Sequence, residues 1–222
     1  VYAISAFTDN AYNVTTVGAV NFDGTDDYID CGNSTNPITS ITVSVWIYPH
    51  IVNDWKQASA FTKFGETAKY QWKIGLNNVG YPRFDIYNST GNIASPTSSS
   101  AVTVNTWNLL TGTYEGTSAK LYVNGIYSTE ATLGGSIKNT DYNINIGYES
   151  ANGRYFDGYI NEARLYSRAL SATEIYELYQ GRYSNNTGLV LSLNPSSYNA
   201  TSAKWEDLSG QNNDGTVSGS TV

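Results

Sequence analysis

The stretch ITSITVSVWIYP, residues 38–49, decides the fold class. From Ile41 to Tyr48 apolar β-branched residues alternate with polar or aromatic ones: Ile41, Val43, Val45 and Ile47 against Thr42, Ser44, Trp46 and Tyr48. A period of two is that of a strand with one face on a hydrophobic core. The alternation therefore predicts a half-buried β-strand.

Further strands follow along the chain. In KLYVNGIYSTEA (120–131), Asn124-Gly125 lies between two β-prone runs and supplies the positive φ angles of a two-residue turn, which predicts a hairpin. Less regular strands are expected in QWKIGL (71–76), RFDIYN (83–88), TWNLLTGTY (106–114), NINIGYE (143–149) and GYINEARLY (158–166). Clusters of Gly, Asn, Ser and Pro separate them, as in sandwiches and jelly rolls.

One short helix is predicted near residues 171–180. Ser171 and Glu174 have the spacing of a capping box, and Gly181 can end the helix in a left-handed conformation. The polar stretch 183–187 then leads into the apolar strand LVLSL (189–193). The expected fold is all-β, a jelly-roll sandwich of two antiparallel sheets with one helix.

Composition narrows the classes of partner. The 222 residues include 19 Tyr and 5 Trp, and the net charge is −7. A negative chain is unsuited to a nucleic-acid backbone or an anionic membrane, because both attract basic surfaces. No stretch approaches the roughly 20 apolar residues of a membrane span, so no membrane insertion is expected.

Several features favour an extracellular location, on the surface of a cell or a virion. The sequence has no Met and begins at Val1, as expected of a processed product or a piece of a longer chain. Acceptor sequons for N-glycosylation occur at Asn13, Asn33, Asn88, Asn185 and Asn199. Cys31 is the single cysteine, and it is expected to be a small buried side chain.

Four stretches carry a resemblance to a known family: VNFDGTDDYIDCG (20–32), ITVSVWIYP (41–49), TWNLLTGTYEGTSAKLYVNG (106–125) and YFDGYINEARLYSRALSATEIYELY (155–179). In this order they resemble the concanavalin A-like, laminin G-like jelly-roll domains, and the resemblance covers nearly the whole chain. It implies the same sandwich fold that the alternation of residues predicts.

The order of the pieces departs from that family. Its domains usually begin with a strand similar to GLVLSLN (188–194) and a loop similar to WEDLSGQNNDGT (205–216), which here come last. The chain therefore resembles a circular permutant, with a body at 1–182, a linker at 183–187 and a displaced segment at 188–222. That segment either folds back, completes the next copy of the chain, or belongs to one period of a tandem array.

The leading hypothesis is donation of the displaced strand to a neighbour. A sandwich without it would expose a hydrophobic slot and an unpaired edge, which Leu189, Val190, Leu191 and Leu193 would fill. The chain would then be a non-catalytic extracellular structural or adhesive module, assembled head to tail from copies of itself. The alternative is a monomeric, lectin-like domain that binds carbohydrate.

Catalysis is not expected. Glucanases of this broad fold place carboxylates at alternate positions of one strand, and no E-x-D-x-E strand occurs here. The single histidine, His50, follows Pro49 at a strand end and has no nucleophile motif around it, so it is interpreted as a surface residue.

Calcium is the expected metal, because a loop rich in oxygen ligands suits that ion. In DLSGQNNDG (207–215) the candidates are Asp207, Asn212 and Asp214, with Glu162 as a weaker one. The resemblance supports a structural calcium near this loop. The same residue types are also typical of turns without a metal.

The resemblance also implies sugar binding, which needs exposed aromatic rings. Five aromatic residues lie in or beside predicted loops: Trp55, Trp72, Tyr81, Tyr148 and Tyr155. Aromatic residues are equally common within strands, so the alternative for each of them is an ordinary structural role.

Overall fold

The computed structural model describes residues 19–52, 54–65, 70–199 and 201–219. The sequon at Asn13 lies outside these residues. The strands are β1 Val20–Asp23, β2 Tyr28–Asp30, β3 Ile41–Pro49, β4 Phe61–Phe64, β5 Tyr70–Leu76, β6 Pro82–Tyr87, β7 Ile93–Ala94, β8 Asn108–Tyr114, β9 Ser118–Val123, β10 Ile126–Thr132, β11 Asn145–Ile146, β12 Tyr148–Glu149, β13 Arg154–Tyr155, β14 Asp157–Tyr166, β15 Leu189–Leu193, β16 Tyr198–Asn199, β17 Lys204–Trp205 and β18 Gly215–Ser218. The helix α1 spans Ala172–Tyr179, and 3₁₀ turns span Trp55–Ser59 and Pro195–Ser197.

Two antiparallel sheets form the sandwich in the described part of the chain, which confirms the predicted fold class. The first has the order β1-β14-β3-β8-β9-β10, and β15 also pairs with β14. The second has the order β16-β17-β18-β2-β11-β4-β5-β6-β7. Strands β12 and β13 form a separate hairpin. No helix among the described residues is long and apolar enough to cross a membrane.

Strand β3 is buried on both faces, which corrects the expectation of a half-buried strand. Its β-branched side chains lie in the main core between the sheets, as predicted. On its other face, Trp46 is 3% exposed. The reason is a second apolar cluster, in which Trp46 packs with Leu170, Ile175 and Leu178 from α1 and the segment before it. The helix thus covers the outer face of the first sheet.

The two local motifs adopt the predicted geometry. Ser171 and Glu174 form both hydrogen bonds of the capping box, and Gly181 follows the helix with φ of 66°. Asn124 and Gly125 turn the β9–β10 hairpin with φ of 53° and 77°. These angles are positive at both turn positions, as a type I′ turn requires.

The displaced C-terminal segment folds back into its own sandwich. We call residues 188–219 the C-terminal ribbon. Its strand β15 pairs with β14, along the same edge that β1 occupies nearer to the start of β14. Its last strand, β18, pairs with β2. Within a single chain the ribbon therefore takes the fold-back arrangement, and its donation to a neighbour, which the sequence analysis favoured, stays a prediction.

The ribbon contributes to both apolar clusters. Leu191, Leu193 and Trp205 are fully buried in the main core. Regular alternation would place Leu189 on the same face as Leu191, but it packs in the second cluster. The cause is a shift in the β14–β15 register between Leu165 and Tyr166, which leaves Val190 without a paired residue in β14.

Arg168 ties the linker to the body. Its Nε donates to the carbonyl of Thr187 (2.8 Å), and its Nη2 donates to Glu174 Oε1 (2.7 Å) and to the hydroxyl of Tyr183 (2.6 Å). Hydrogen bonds to its carboxylate, from Arg168 first and then from Ser171 and Tyr183, lower the pKa of Glu174 to about 2. Arg168 therefore holds both ends of the linker, Tyr183 and Thr187.

Candidate functional site

A row of polar side chains crosses the outer face of the nine-stranded sheet. The strand register aligns one residue from each of five neighbouring strands: Asp85, Lys73, Thr62, Asn145 and Asp30. Their neighbours Ile29, Phe61 and Ile74 are in the main core, so alternation places the row on the opposite face. Neighbouring strands lie about 4.8 Å apart, so Lys73 and Asn145 are separated by roughly 10 Å.

The hairpin formed by β12 and β13 stands on the middle of this row. The Thr62 hydroxyl donates to the carbonyl of Tyr148 (2.7 Å), and the Ser150 hydroxyl donates to the carbonyl of Phe64 (2.9 Å). Alternation sends Tyr148 and Tyr155 to one side of the hairpin and sends Glu149 and Arg154 to the other. The hairpin therefore separates two depressions on one face.

The first depression, which we call the tyrosine cleft, encloses about 410 Å³. Tyr148 stacks on Tyr155 with ring centroids 4.6 Å apart and lies 5.2 Å from the ring of Tyr28. The Asn143 side-chain amide donates to Asp30 Oδ2 (2.9 Å), which fixes two of the polar groups in the cleft. Its lining consists of Tyr28, Asp30, Asp141, Tyr142, Asn143, Asn145, Tyr148 and Ser150.

The second depression, the Trp55 pocket, encloses about 100 Å³. Trp55 is 41% exposed at the start of a 3₁₀ turn that Asp54 caps through a hydrogen bond to the backbone N–H of Lys56. The guanidinium of Arg154 lies 5.1 Å from the centre of the Trp55 ring. The pocket is lined by Trp55, Lys73, Gly75, Leu76, Asn77, Arg83 and Asp85.

Charged groups connect the floor of the Trp55 pocket to the hairpin. Glu149 is fully buried, and its Oε2 lies 2.8 Å from Lys73 Nζ and 3.6 Å from Arg154 Nη1. Asp85 Oδ1 accepts a hydrogen bond from Arg83 Nε at 2.6 Å, and Asp85 Oδ2 lies 3.9 Å from Lys73 Nζ. Buried carboxylates are tolerated when cations pair with them in this way.

The predicted sugar-binding residues are only partly brought together. Tyr148 lines the tyrosine cleft, Tyr155 stacks on the Tyr148 ring, and Trp55 lines the neighbouring pocket. Tyr81 lies in the loop before β6, where its backbone N–H donates to Asn77 Oδ1, and it lines neither depression. The prediction that Trp72 binds sugar is wrong, because Trp72 is 0% exposed in the main core and no ligand can reach it.

The sequence analysis missed Tyr28, Lys73, Glu149 and Arg154. For Lys73 a signal existed, because it follows the apolar Trp72 in a strand, and alternation then requires an outward side chain. The convergence of Glu149 and Arg154 on Lys73 depends on long-range strand pairing, which short sequence patterns do not contain.

The predicted calcium ligands form a hydrogen-bonded turn. The Asp207 carboxylate accepts four hydrogen bonds, from Ser192 N, Ser209 N, Ser209 Oγ and Asn213 N. Four bonds engage the lone pairs that a metal would need. Asp214 Oδ1 accepts from the Asp207 N–H (3.0 Å), Asn212 takes a left-handed turn conformation, and Glu162 Oε1 accepts from the Asn194 amide (3.0 Å). This donor set does not fit calcium.

A different acidic cluster lies in the loop between β1 and β2. Oxygen atoms of Asp23, Asp26 and Asp27 all lie within 4.8 Å of one another. The loop is also held by its own hydrogen bonds, from the Asp23 N–H to Asp27 Oδ2 and from the Thr25 N–H to Asp23 Oδ1. The cluster is therefore part of the β1–β2 turn, in which Asp23 and Asp26 are exposed and Asp27 is buried.

The glycosylation sequons differ in accessibility. Asn33 and Asn185 are exposed, and Asn199 is half-buried. The structure contradicts the prediction of glycosylation at Asn88. This residue is 5% exposed, and its amide nitrogen donates to the carbonyl of Gly134 at 2.8 Å. The nitrogen that would carry a glycan is thus enclosed in the folded chain. Glycosylation at the other sites stays a prediction.

Comparison with known proteins places this fold. A family model described as the concanavalin A-like lectin/glucanases superfamily matches residues 23–176. No curated protein matches the chain.

Among solved structures, a Bacteroides ovatus protein for which carbohydrate binding has been suggested is similar, with 18% identity and a TM-score of 0.66 over 90% of this chain. The chain spans 59% of that protein. Domain 4 of an extracellular arabinanase from Geobacillus stearothermophilus, solved with arabinotriose, shares 18% identity (TM-score 0.51, covering 68% of this chain and 69% of that one). Domains LG4-5 of the mouse laminin alpha1 chain share 17% identity (TM-score 0.52, covering 69% and 44%). The chain belongs to the concanavalin A-like lectin/glucanase superfamily.

Proposed function

We propose that the chain is a non-catalytic carbohydrate-binding module and that its ligand lies in the tyrosine cleft. The observation that carries this proposal is the Tyr148 ring, which is stacked on Tyr155 and lines an open cleft beside amide and carboxylate groups. A volume of about 410 Å³ is in the range of small-molecule sites. Aromatic surface with a few placed polar groups is the usual composition of such sites.

The geometry supports binding over hydrolysis. A glycosidase keeps open space between two carboxylates for the glycosidic oxygen or a water molecule. Here Lys73 Nζ lies between the carboxylates of Glu149 and Asp85, at 2.8 and 3.9 Å. The ammonium fills the space that a reacting group would need.

The relatives add support of a limited kind. The Bacteroides ovatus protein and the arabinanase domain are both associated with carbohydrate, but at 18% identity each shows the fold alone. Because these two relatives are associated with carbohydrate, we also propose an extracellular location. The exposed sequons add support.

Replacing Tyr148 by alanine is expected to weaken glycan binding about tenfold or more, because the stacking surface is lost. The measurement is a glycan array to find a ligand, followed by calorimetric titration. Asn145→Ala, which removes a polar group of the cleft, should also weaken binding. Tyr127→Ala is the matched control, because Tyr127 is 50% exposed on β10 of the other sheet.

Two results would overturn this proposal. Unchanged affinity in both cleft variants would contradict it, as would a loss of the same size in Tyr127→Ala. Circular dichroism shows whether the Tyr148→Ala protein is folded. Asn145→Ala tests the site separately if it is not.

Head-to-tail assembly is the second candidate, and one observation favours it. The ribbon places Leu191, Leu193 and Trp205 in the core, yet it is joined through exposed linker residues 184–187. Exchange of the ribbon between copies would form the same contacts between molecules, as in domain swapping. Assembly stays a prediction, and the concentration dependence of unfolding, argued below, tests it.

Calcium binding also stays a prediction, but not at the Asp207 loop. Because the Asp207 carboxylate already has four hydrogen-bond partners, Asp207→Asn should lower the melting temperature equally in calcium chloride and in EDTA. A calcium-induced rise in the wild-type melting temperature that this variant abolishes would show that the loop holds the ion. Asp26→Asn, in the β1–β2 loop, is the comparison variant.

A further inference from the structure

The two depressions differ in what they can hold. The tyrosine cleft has room for a small ligand, whereas about 100 Å³ in the Trp55 pocket accommodates a substituent of a few atoms. Both lie on one polar row, with Lys73 and Asn145 roughly 10 Å apart. A single oligosaccharide crossing the hairpin can reach both.

The charges of the Trp55 pocket favour an anion. The pocket is lined by two cations, Lys73 and Arg83, and by one carboxylate, that of Asp85. Beside it, Arg154 contacts the Trp55 ring and is paired with Glu149, so this pair adds no net charge. The pocket therefore carries one net positive charge, although the whole chain has a net charge of −7. Excess positive charge at a half-enclosed site is a means of attracting an acidic group.

The carboxylates are already engaged by protein groups. Glu149 Oε1 accepts a hydrogen bond from the Asn152 amide, and Oε2 accepts one from Lys73. Asp85 Oδ1 accepts one from Arg83. Few acceptors are left for the hydroxyl groups of a ligand.

Hydrogen-bond donors, in contrast, remain available. Arg83 donates through Nε to Asp85 and through Nη2 to Ser95 Oγ (3.2 Å), which leaves Nη1 without a partner among the described residues. The Arg154 guanidinium makes no hydrogen bond to any residue that the structure describes. It is held by the Trp55 ring and by the Glu149 charge at 3.6 Å.

A guanidinium fixed by an aromatic ring but with free N–H groups is preorganised to bind a planar carboxylate. The exposed Trp55 ring beside it offers an apolar surface for the sugar that carries this group. We propose that the Trp55 pocket is a subsite for the carboxylate of a uronic acid residue, so that the module selects acidic glycans. This inference rests on the proposed glycan binding of the tyrosine cleft.

The test compares each acidic oligosaccharide with its own neutral form. The probes are tetramers of galacturonate, glucuronate and mannuronate, each titrated calorimetrically beside its methyl ester. At least one acid should bind about tenfold more tightly than its ester. Arg154→Gln and Arg83→Gln should each reduce the affinity for that acid toward the value for the ester. Arg182→Gln, an exposed arginine after α1, is the matched control and should change neither.

The outcomes distinguish this inference from the proposed function. If each acid and its ester bind equally and Tyr148→Ala weakens both, glycan binding stands and the carboxylate subsite is disproved. Binding of only neutral or only sulfated oligosaccharides through Tyr148 would disprove it in the same way. If no glycan binds, the proposed function fails and the subsite fails with it.

Discussion

Leu193→Ala should lower the free energy of unfolding by about 3–4 kcal/mol, because it removes a large apolar side chain from a closely packed interior. Leu193 is 0% exposed in the main core, and its Cδ1 lies against Gly215 of the same ribbon. Urea denaturation followed by tryptophan fluorescence measures the change. Leu208→Ala is the control in the same ribbon: Leu208 is 53% exposed, so the change should stay within about 0.5 kcal/mol.

The same experiment decides where the ribbon belongs. If the ribbon folds back, the denaturation midpoint of the wild type should not depend on protein concentration. If it is donated to a neighbour, the midpoint should rise with concentration, because association then contributes to stability. A midpoint that rises over a hundredfold range of concentration would contradict the fold-back arrangement. A small effect of Leu193→Ala at every concentration would contradict the burial itself.

The sequence predicts local structure well, because the signals for it are local. The alternation in β3, the Asn124-Gly125 turn and the Ser171 capping box each depend on residues a few positions apart. The destination of the ribbon is different in kind. A strand pairs in the same way with its own chain as with a copy of that chain. The residues of β15 alone therefore do not distinguish folding back from donation to a neighbour.

Tertiary contacts explain the other differences between the prediction and the structure. The outer face of β3 looks polar or amphipathic in sequence, yet α1 covers it. Trp72 looks like a loop aromatic, but its strand directs it inward while it directs Lys73 outward. The aromatic half of the candidate site could thus be predicted in part, through Trp55, Tyr148 and Tyr155. Its charged half could not, since Glu149, Arg154 and Lys73 meet only after the sheet and the hairpin have formed.

A buried lysine leads to the second large effect. Lys63 pairs across β4 and β5 with Trp72, and its side chain is 0% exposed. Its Nζ has no hydrogen-bond partner within the described part of the chain. Burial lowers the pKa of Lys63 to about 8, and the negative charge of Asp141 opposes this shift only in part.

The direction of the pH effect follows from this lowered pKa. In the unfolded chain lysine keeps its ordinary pKa of 10.5, so the unfolded state binds the proton more strongly than the folded state does. Below about pH 8 the folded protein must bury a charged ammonium, and the full cost is present. Between pH 8 and 10.5 Lys63 is neutral in the folded protein, whereas the unfolded chain still binds the proton. The destabilisation therefore declines as the pH rises through this range. The free energy of unfolding should therefore rise with pH across this range.

Lys63→Met should remove both the cost and the pH dependence. At pH 7 the variant should be about 2 kcal/mol more stable than the wild type, since a shift of this size corresponds to a few kcal/mol and methionine fills a similar volume without a charge. Urea denaturation at half-unit steps from pH 7 to 9.5 measures the difference. The range stops there because the pKa values of Tyr87 and Tyr183 are raised to about 12, and ionisation of tyrosines in the unfolded chain begins to affect stability above it.

Lys120→Met is the matched control, because Lys120 lies at the surface, 3.5 Å from the exposed carboxylate of Glu115. It should change stability by less than about 1 kcal/mol, with no change in the pH profile. A loss of stability in Lys63→Met at pH 7 would show that the ammonium has a strong partner in the folded chain. A gap between Lys63→Met and wild type that stays constant up to pH 9.5 would show that Lys63 keeps its ordinary pKa.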